Sequence, residues 1–219
     1  MKIFCIGYNK TGTTSLYQSI KELGKYNRNA KRVFMPEGEL LMHSVAKGNL
    51  KAVTDWVEKR NDIELFKDVP FSIPGVWKAI YKKYPDAIYI LSERDSSEQW
   101  YNSIVNFHRG FYSSDNPSWD DVSEVSYGYK KTENYNSFMY DYLSYTFGKE
   151  LQPYDKDNLI ASYESYNNEI KEFFKDKDNF ISINVSNDND YLKVCSLLGK
   201  NPISNKFLKL KVTGLPETW

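Results

Sequence analysis

Cysteine, histidine and arginine are scarce in this chain: two, two and five of 219 residues. The cysteines, Cys5 and Cys195, both among apolar neighbours, make no disulfide framework and read as buried free thiols. Net charge is lacking too, because 29 Lys+Arg balance 29 Asp+Glu. No overall field therefore draws the chain to nucleic acid or to an anionic membrane. Any anion site must be local, and each arginine (Arg28, Arg32, Arg60, Arg94, Arg109) carries more information for being rare. No apolar run approaches the ~20 residues needed to cross a bilayer. No charged segment leads into an apolar one as in a secretory leader. A soluble, cytoplasmic protein is the expectation. What is plentiful is tyrosine, with 18 residues, beside lysine and asparagine. An AT-rich coding genome explains that bias without any functional demand.

Hydrophobic residues make up 41% of the chain, enough for one core, and no linker or repeat divides it; a single domain over 1–219 is expected. Residues 1–8 (MKIFCIGY) form a nearly continuous apolar run, as in a strand buried on both faces. A Gly/Thr turn follows, then a helix over 15–23 closed by Gly24. Further strands are expected at 33–35, 63–69, 87–91 and 180–185. Helices are expected at 37–47, 50–59, 74–84, 98–108, 133–147, 157–174 and 190–198. Strands alternating with helices predict an α/β fold, three-layer α/β/α around a central parallel sheet, with a helical C-terminal portion. Residues 109–132 read as irregular and are the candidate lid or substrate loop. Their aromatics (Tyr112, Trp119, Tyr127, Tyr129) could stack on a sugar or phenol, or simply pack on the protein.

The turn after the first strand, Gly7-Tyr8-Asn9-Lys10-Thr11-Gly12-Thr13-Thr14-Ser15, carries the first chemistry. A helix N-terminus offers unpaired N–H groups and partial positive charge. Gly12 lets the backbone curl around an oxyanion, the hydroxyls add donors, and Lys10 adds a full charge. Gly7, Gly12 and Thr14 fit the spacing of the nucleotide-triphosphatase loop G-x-x-x-x-G-K-[ST], but Thr13 stands where that pattern needs Lys. A second basic element closes the strand at 87–91: Arg94 follows it, where open α/β sheets place ligands, and a guanidinium grips phosphate bidentately.

Asn9-Lys10-Thr11-Gly12-Thr13-Thr14 resembles the P-K-S-G-T-T loop of sulfotransferases that use 3′-phosphoadenosine 5′-phosphosulfate (PAPS), with Asn9 where the family has Pro. Arg94 to Ser103 is similar to that family's R-[DN]-P-x-x-x-x-x-S element, one residue longer and without the Pro. Asp68-Val-Pro-Phe, Tyr84-Pro-Asp-Ala, Gln99-Trp-Tyr-Asn-Ser103 and residues 163–174 are similar to a bacterial and viral branch of the family. In that last segment Tyr166-Asn167 stands where the branch tends to carry His-Asn. The resemblance spans about residues 1–200 and implies a P-loop-nucleotide-hydrolase-like fold. It implies a PAPS-dependent, metal-independent sulfotransferase releasing 3′-phosphoadenosine 5′-phosphate (PAP), with a small-molecule, glycan or lipid acceptor. By the same resemblance Lys10, Thr11, Gly12, Thr13, Thr14 and Ser15 hold the phosphosulfate, and Arg94 with Ser103 holds the 3′-phosphate. Lys10 follows charge onto the bridging oxygen.

Phe66-Lys67-Asp68-Val69-Pro70 stands where cytosolic members read K-T-H-L-P with a catalytic His. Asp68 is the lead base for the acceptor proton, acting with a raised pKa or by orienting the acceptor. His43, His108 and Glu37 remain rivals. Two other classes stay open: a P-loop kinase-like enzyme with Asp68 on Mg²⁺, and a non-catalytic nucleotide-binding module. No His/Cys/Asp cluster has metal-ligand spacing.

Overall fold

The computed structural model describes residues 1–24, 26, 35–125, 127–128, 130–132 and 136–209, with the backbone alone over 35–39. Four strands form one all-parallel sheet: β1 (Ile3–Cys5), β2 (Leu65–Phe66), β3 (Ile88–Ser92) and β4 (Phe180–Ile183), in the order β2-β1-β3-β4. Register is set by Ile3 opposite Leu65 and Ile88, and by Tyr89 opposite Phe180. Period-two alternation sends successive side chains to opposite faces. Phe4, Phe66, Tyr89 and Leu91 enter one core; Ile3, Cys5, Leu65, Ile88 and Ile90 enter the other.

The first face is strongly aromatic. Phe4 stacks between Phe66 and Tyr89, with ring centroids 4.9 and 5.6 Å away. It is covered by α2 (Met35–Ala46), α3 (Lys51–Lys59), α4 (Val76–Lys83), α5 (Ser97–Arg109), α7 (Phe138–Phe147) and α8 (Lys156–Phe174). The second face is aliphatic, closed by Leu16 and Ile20 of α1 (Thr13–Gly24) and by Val194 and Cys195 of α9 (Asp188–Leu197). Helices on both sides of a parallel sheet make the expected three-layer α/β/α architecture. Cys5 and Cys195 are buried free thiols.

Three expectations change. The strand read over 63–69 shrinks to Leu65–Phe66, because the chain leaves the sheet at Lys67 and turns through Asp68 at φ 57°. Residues 109–132 are not irregular throughout. They contain α6 (Trp119–Glu124), opened by a capping box in which the Ser118 hydroxyl accepts from the Asp121 N–H and Asp121 accepts from the Ser118 N–H. Helix α7 begins at Phe138, capped by Ser137, rather than near 133. The strand expected at 33–35 falls on residues outside those described, save Met35, which opens α2.

Candidate functional site

The loop over residues 6–12 leaves the sheet between β1 and α1, and hydrogen bonds to distant residues anchor it at Ile6, Asn9 and Lys10. The Ile6 N–H continues the ladder to Ile90 O at 2.9 Å, and Tyr166 OH donates to Ile6 O at 2.7 Å. A Cβ on Gly7 would lie 2.5 Å from Ser92 O and 2.7 Å from its N, so only glycine lets β1 and β3 pass here. Trp100 Nε1 donates to Asn9 O at 3.0 Å, and Ser72 Oγ donates to Asn9 Oδ1 at 3.3 Å. Gly12 takes φ 86°, and a Cβ there would press into the Val185 side chain, its Cβ and Cγ1 at 3.2 Å and its Cγ2 closer still. The chain then enters α1, whose first N–H groups have no partner within the helix.

Lys10 and Asp68 are the two non-glycine residues with positive φ among those described, at 70° and 57°. Such backbone costs of order 1–3 kcal/mol and persists where the surroundings hold it. At Lys10 the holding group is Arg94, whose Nε donates to Lys10 O at 2.5 Å. The Arg94 N–H is taken by Tyr163 OH at 3.0 Å. The guanidinium's terminal nitrogens have no protein partner among the described residues, which leaves a fork for a bidentate anion. The Lys10 ammonium lies over the Phe107 ring, 3.9 Å from its centroid. Burial and the Arg94 charge hold its pKa below the usual lysine value, with Asp68 opposing them.

Asp68 is fully engaged. Its Oδ1 accepts from Thr13 Oγ1 at 2.8 Å, and its Oδ2 accepts from Lys67 Nζ. Burial raises its pKa, but the Lys67 charge and the two hydrogen bonds outweigh burial and leave it below the ordinary carboxylate value. Asp68 is therefore held ionised, its pKa below rather than above the ordinary carboxylate value. Lys67, in turn, is held protonated by Asp68 in spite of its burial.

The other expected residues divide. The Thr11 hydroxyl points inward, donating to Tyr8 O and sharing a hydrogen with Ser92 Oγ, both at 2.6 Å; only its N–H remains for a ligand. Thr13 serves Asp68, while Thr14 is exposed and Ser15 half-buried at the mouth of α1. Ser103 is half-buried on the second turn of α5, with no bond to Arg94 or to any other described residue. His43 Nδ1 is 3.0 Å from Asp141 Oδ2 across α2 and α7. The Glu37 side chain lies outside the described residues.

His108 is buried, with Nδ1 3.1 Å from Tyr154 OH. Burial, then the Lys10 charge, drive its pKa down to about 3. Aromatics of 109–132 pack on the protein itself. Tyr112 OH bonds Tyr154 OH at 2.7 Å, Trp119 Nε1 donates to Leu151 O at 2.8 Å, and Tyr127 stacks on Phe111 at 4.6 Å. Tyr129 lies outside the described residues.

Lys67, which pairs with Asp68, and the buried tyrosines Tyr142 and Tyr154 are residues near these groups that sequence reasoning passed over. Lys67 takes the second place of the Phe66–Pro70 segment, where K-T-H-L-P has Thr, so the motif did not single it out; nothing marks the two tyrosines, which arrive from α7 and from the turn before α8. Among the described residues no cluster of His, Cys, Asp or Glu could hold a metal ion, and no helix is long and apolar enough to cross a membrane. A search of curated proteins finds no match to the chain. One family model, described as a sulfotransferase domain, matches residues 2–210.

Proposed function

The chain belongs to the sulfotransferase family, and from that premise we propose that it moves a sulfuryl group from PAPS to a hydroxyl or amine of an acceptor, in line and without a metal. PAPS supplies the activated sulfuryl group; the chain's residues supply its grip and its charge balance. One observation carries the reading: the Arg94 Nε–H bonded to the Lys10 carbonyl. That bond ties two cations to one edge of the sheet, at the carboxyl ends of neighbouring strands, where a doubly anionic nucleotide can bridge them.

The donor set fits. Gly12, packed against Val185, lets the loop turn into the mouth of α1, where the N–H groups of the first helical residues serve as donors and Lys10 adds the charge. Lys10 stabilises the negative charge that gathers on the 5′-phosphate as the sulfuryl group leaves. Arg94 offers its terminal nitrogens to the 3′-phosphate, with Ser103 two turns along α5 as a second donor. Asp68 stays ionised and orients: it fixes Thr13 at the start of α1 and Lys67 beside it. The phosphoryl-transfer alternative asks Asp68 to hold Mg²⁺, but both its oxygens already accept hydrogen bonds.

Calorimetry with PAP and with ATP–Mg²⁺ separates the two chemistries. PAP binding without metal, together with sulfate transfer from labelled PAPS onto a panel of glycans, lipids and phenols, is the expected result. Preference for ATP–Mg²⁺ would sink the reading.

A further inference from the structure

Behind the Lys10 ammonium lies an aromatic wall with a buried hydroxyl that no described residue satisfies, and beside it an imidazole nitrogen that makes no bond to any of them. Tyr142 on α7 is 1% exposed, and its hydroxyl has no hydrogen-bond partner among the described residues. His108 on α5 is 4% exposed; its Nδ1 is taken by Tyr154, and Nε2 makes no bond to any described residue. The two rings pack nearly perpendicular, at 85°, with centroids 6.3 Å apart. Both belong to the reaction centre electrostatically: the Lys10 charge acts on His108, and the Asp68 charge acts on Tyr142. Phe107, under the Lys10 ammonium, adjoins His108 at 5.6 Å between ring centroids.

A buried donor without a partner is costly unless a ligand completes it. A hydroxyl group that completes Tyr142 has the open His108 Nε2 as a neighbour for its own proton. Its oxygen accepts from Tyr142 OH, and its proton goes toward His108 Nε2. From Nδ1 a continuous chain of hydrogen bonds leads outward, through Tyr154 OH at 3.1 Å to Tyr112 OH at 2.7 Å, on a half-buried side chain.

We propose that the acceptor hydroxyl docks between Tyr142 and His108, and that His108, Tyr154 and Tyr112 form the route by which its proton leaves. The inference rests on the sulfuryl-transfer reading. His108 Nε2 takes the proton while the acceptor oxygen bonds to sulfur. The bond from sulfur to the 5′-phosphate oxygen opens, and its electron pair stays on the phosphate. Nδ1 passes its own proton to Tyr154, Tyr154 to Tyr112, and Tyr112 to water, so no charge remains inside. The imidazole is neutral in the free protein, as an accepting Nε2 requires; burial first and the Lys10 charge second oppose its protonation, and an anion paired with Lys10 offsets the second.

Phenol and the more acidic 4-nitrophenol test the route, because both fit an aromatic wall and only the first needs help losing its proton. His108→Gln should lower kcat with phenol ~100-fold and with 4-nitrophenol by less than about threefold. Tyr154→Phe, which cuts the route one step further out, should lower kcat with phenol ~10-fold. Tyr142→Phe removes a hydroxyl without a partner, so Tm should hold or rise while kcat/KM for phenol falls ~10-fold. PAP affinity by calorimetry should stay within about twofold in all three.

Equal losses on the two phenols, weakened PAP binding in the variants, or a lowered Tm for Tyr142→Phe would each make these residues structural and overturn the inference. A wild-type protein that binds PAP yet sulfates neither phenol also overturns it. A wild-type protein that does not bind PAP instead brings down the donor reading on which it stands.

Discussion

Lys10 is held by its backbone before it meets any ligand: φ 70°, with its carbonyl accepting from Arg94 and its ammonium resting on Phe107. A charge placed so firmly contributes at the transition state with little reorganisation. Lys10→Ala should therefore lower kcat by ~10²-fold or more while donor KM changes far less, read by steady-state kinetics. Near-native turnover with only a raised KM would remove Lys10 from the chemistry. Arg94→Ala should cost ~2–4 kcal/mol of PAP affinity, whereas binding of adenosine 5′-phosphosulfate, which lacks the 3′-phosphate, should change little. Equal weakening of both ligands would mean that Arg94 acts through the Lys10 carbonyl alone. Both residues were legible in the sequence, since each follows an apolar strand and stands in a motif of short range. The engagement of Asp68 was not, because Thr13 lies 55 residues away and its bond to Asp68 exists only after β1 and β2 pair. Tyr142 and Tyr154 were hidden for the same reason: among 18 tyrosines, only packing marks the ones whose hydroxyls matter.

Element by element, the loop between β1 and α1 depends on a glycine in a way that can be separated from mere backbone preference. Gly12 and Gly48 share almost the same φ, 86° and 79°, but a Cβ on Gly48 meets nothing within 4 Å and one on Gly12 meets Val185. Gly48→Ala should cost about 1 kcal/mol of stability through the left-handed backbone alone and leave PAP binding intact. Gly12→Ala should cost ~2–4 kcal/mol by urea titration and abolish PAP binding, because the loop must shift away from the segment after β4. Equal penalties would show that the approach of Val185 is unimportant. The helices were mostly readable from their apolar spacing, and α6 could have been found from Ser118 and Asp121, a capping-box pair three residues apart. It was obscured by Gly110, Pro117 and Gly128 around it, which read as breakers. The length of β2 was beyond sequence reasoning: Lys67 and Asp68 leave the sheet to pair with each other and with Thr13, a tertiary demand that overrides strand propensity.

The molecule as a whole buries His108 as a neutral ring, and that choice has a sign. Its pKa falls from 6.5 to about 3 on folding, so between those values the unfolded chain binds a proton that the native state refuses. Stability should accordingly drop by up to about 1.4 kcal/mol per pH unit as pH falls through that window. Asp68 adds its loss lower down, below the ordinary carboxylate value, because its native pKa is depressed. Urea midpoints between about pH 6 and 4.5 should fall more steeply for the native chain than for His108→Gln. Parallel profiles would show that His108 protonates in place. The split between an aromatic and an aliphatic face has an optical consequence. Of the described tryptophans, Trp56, Trp77, Trp100 and Trp119 all sit on the aromatic face. The emission of these four therefore reports one layer of the sandwich and is blind to loosening beneath α1 and α9. Within that layer Trp100 is wired to both anion sites: its indole N–H donates to Asn9 O, and its ring stacks at 4.4 Å on Tyr163, whose hydroxyl takes the Arg94 N–H. A nucleotide bound as proposed, between Lys10 and Arg94, would tug on a fluorophore the chain already owns, so donor occupancy should be followed by light with no label attached.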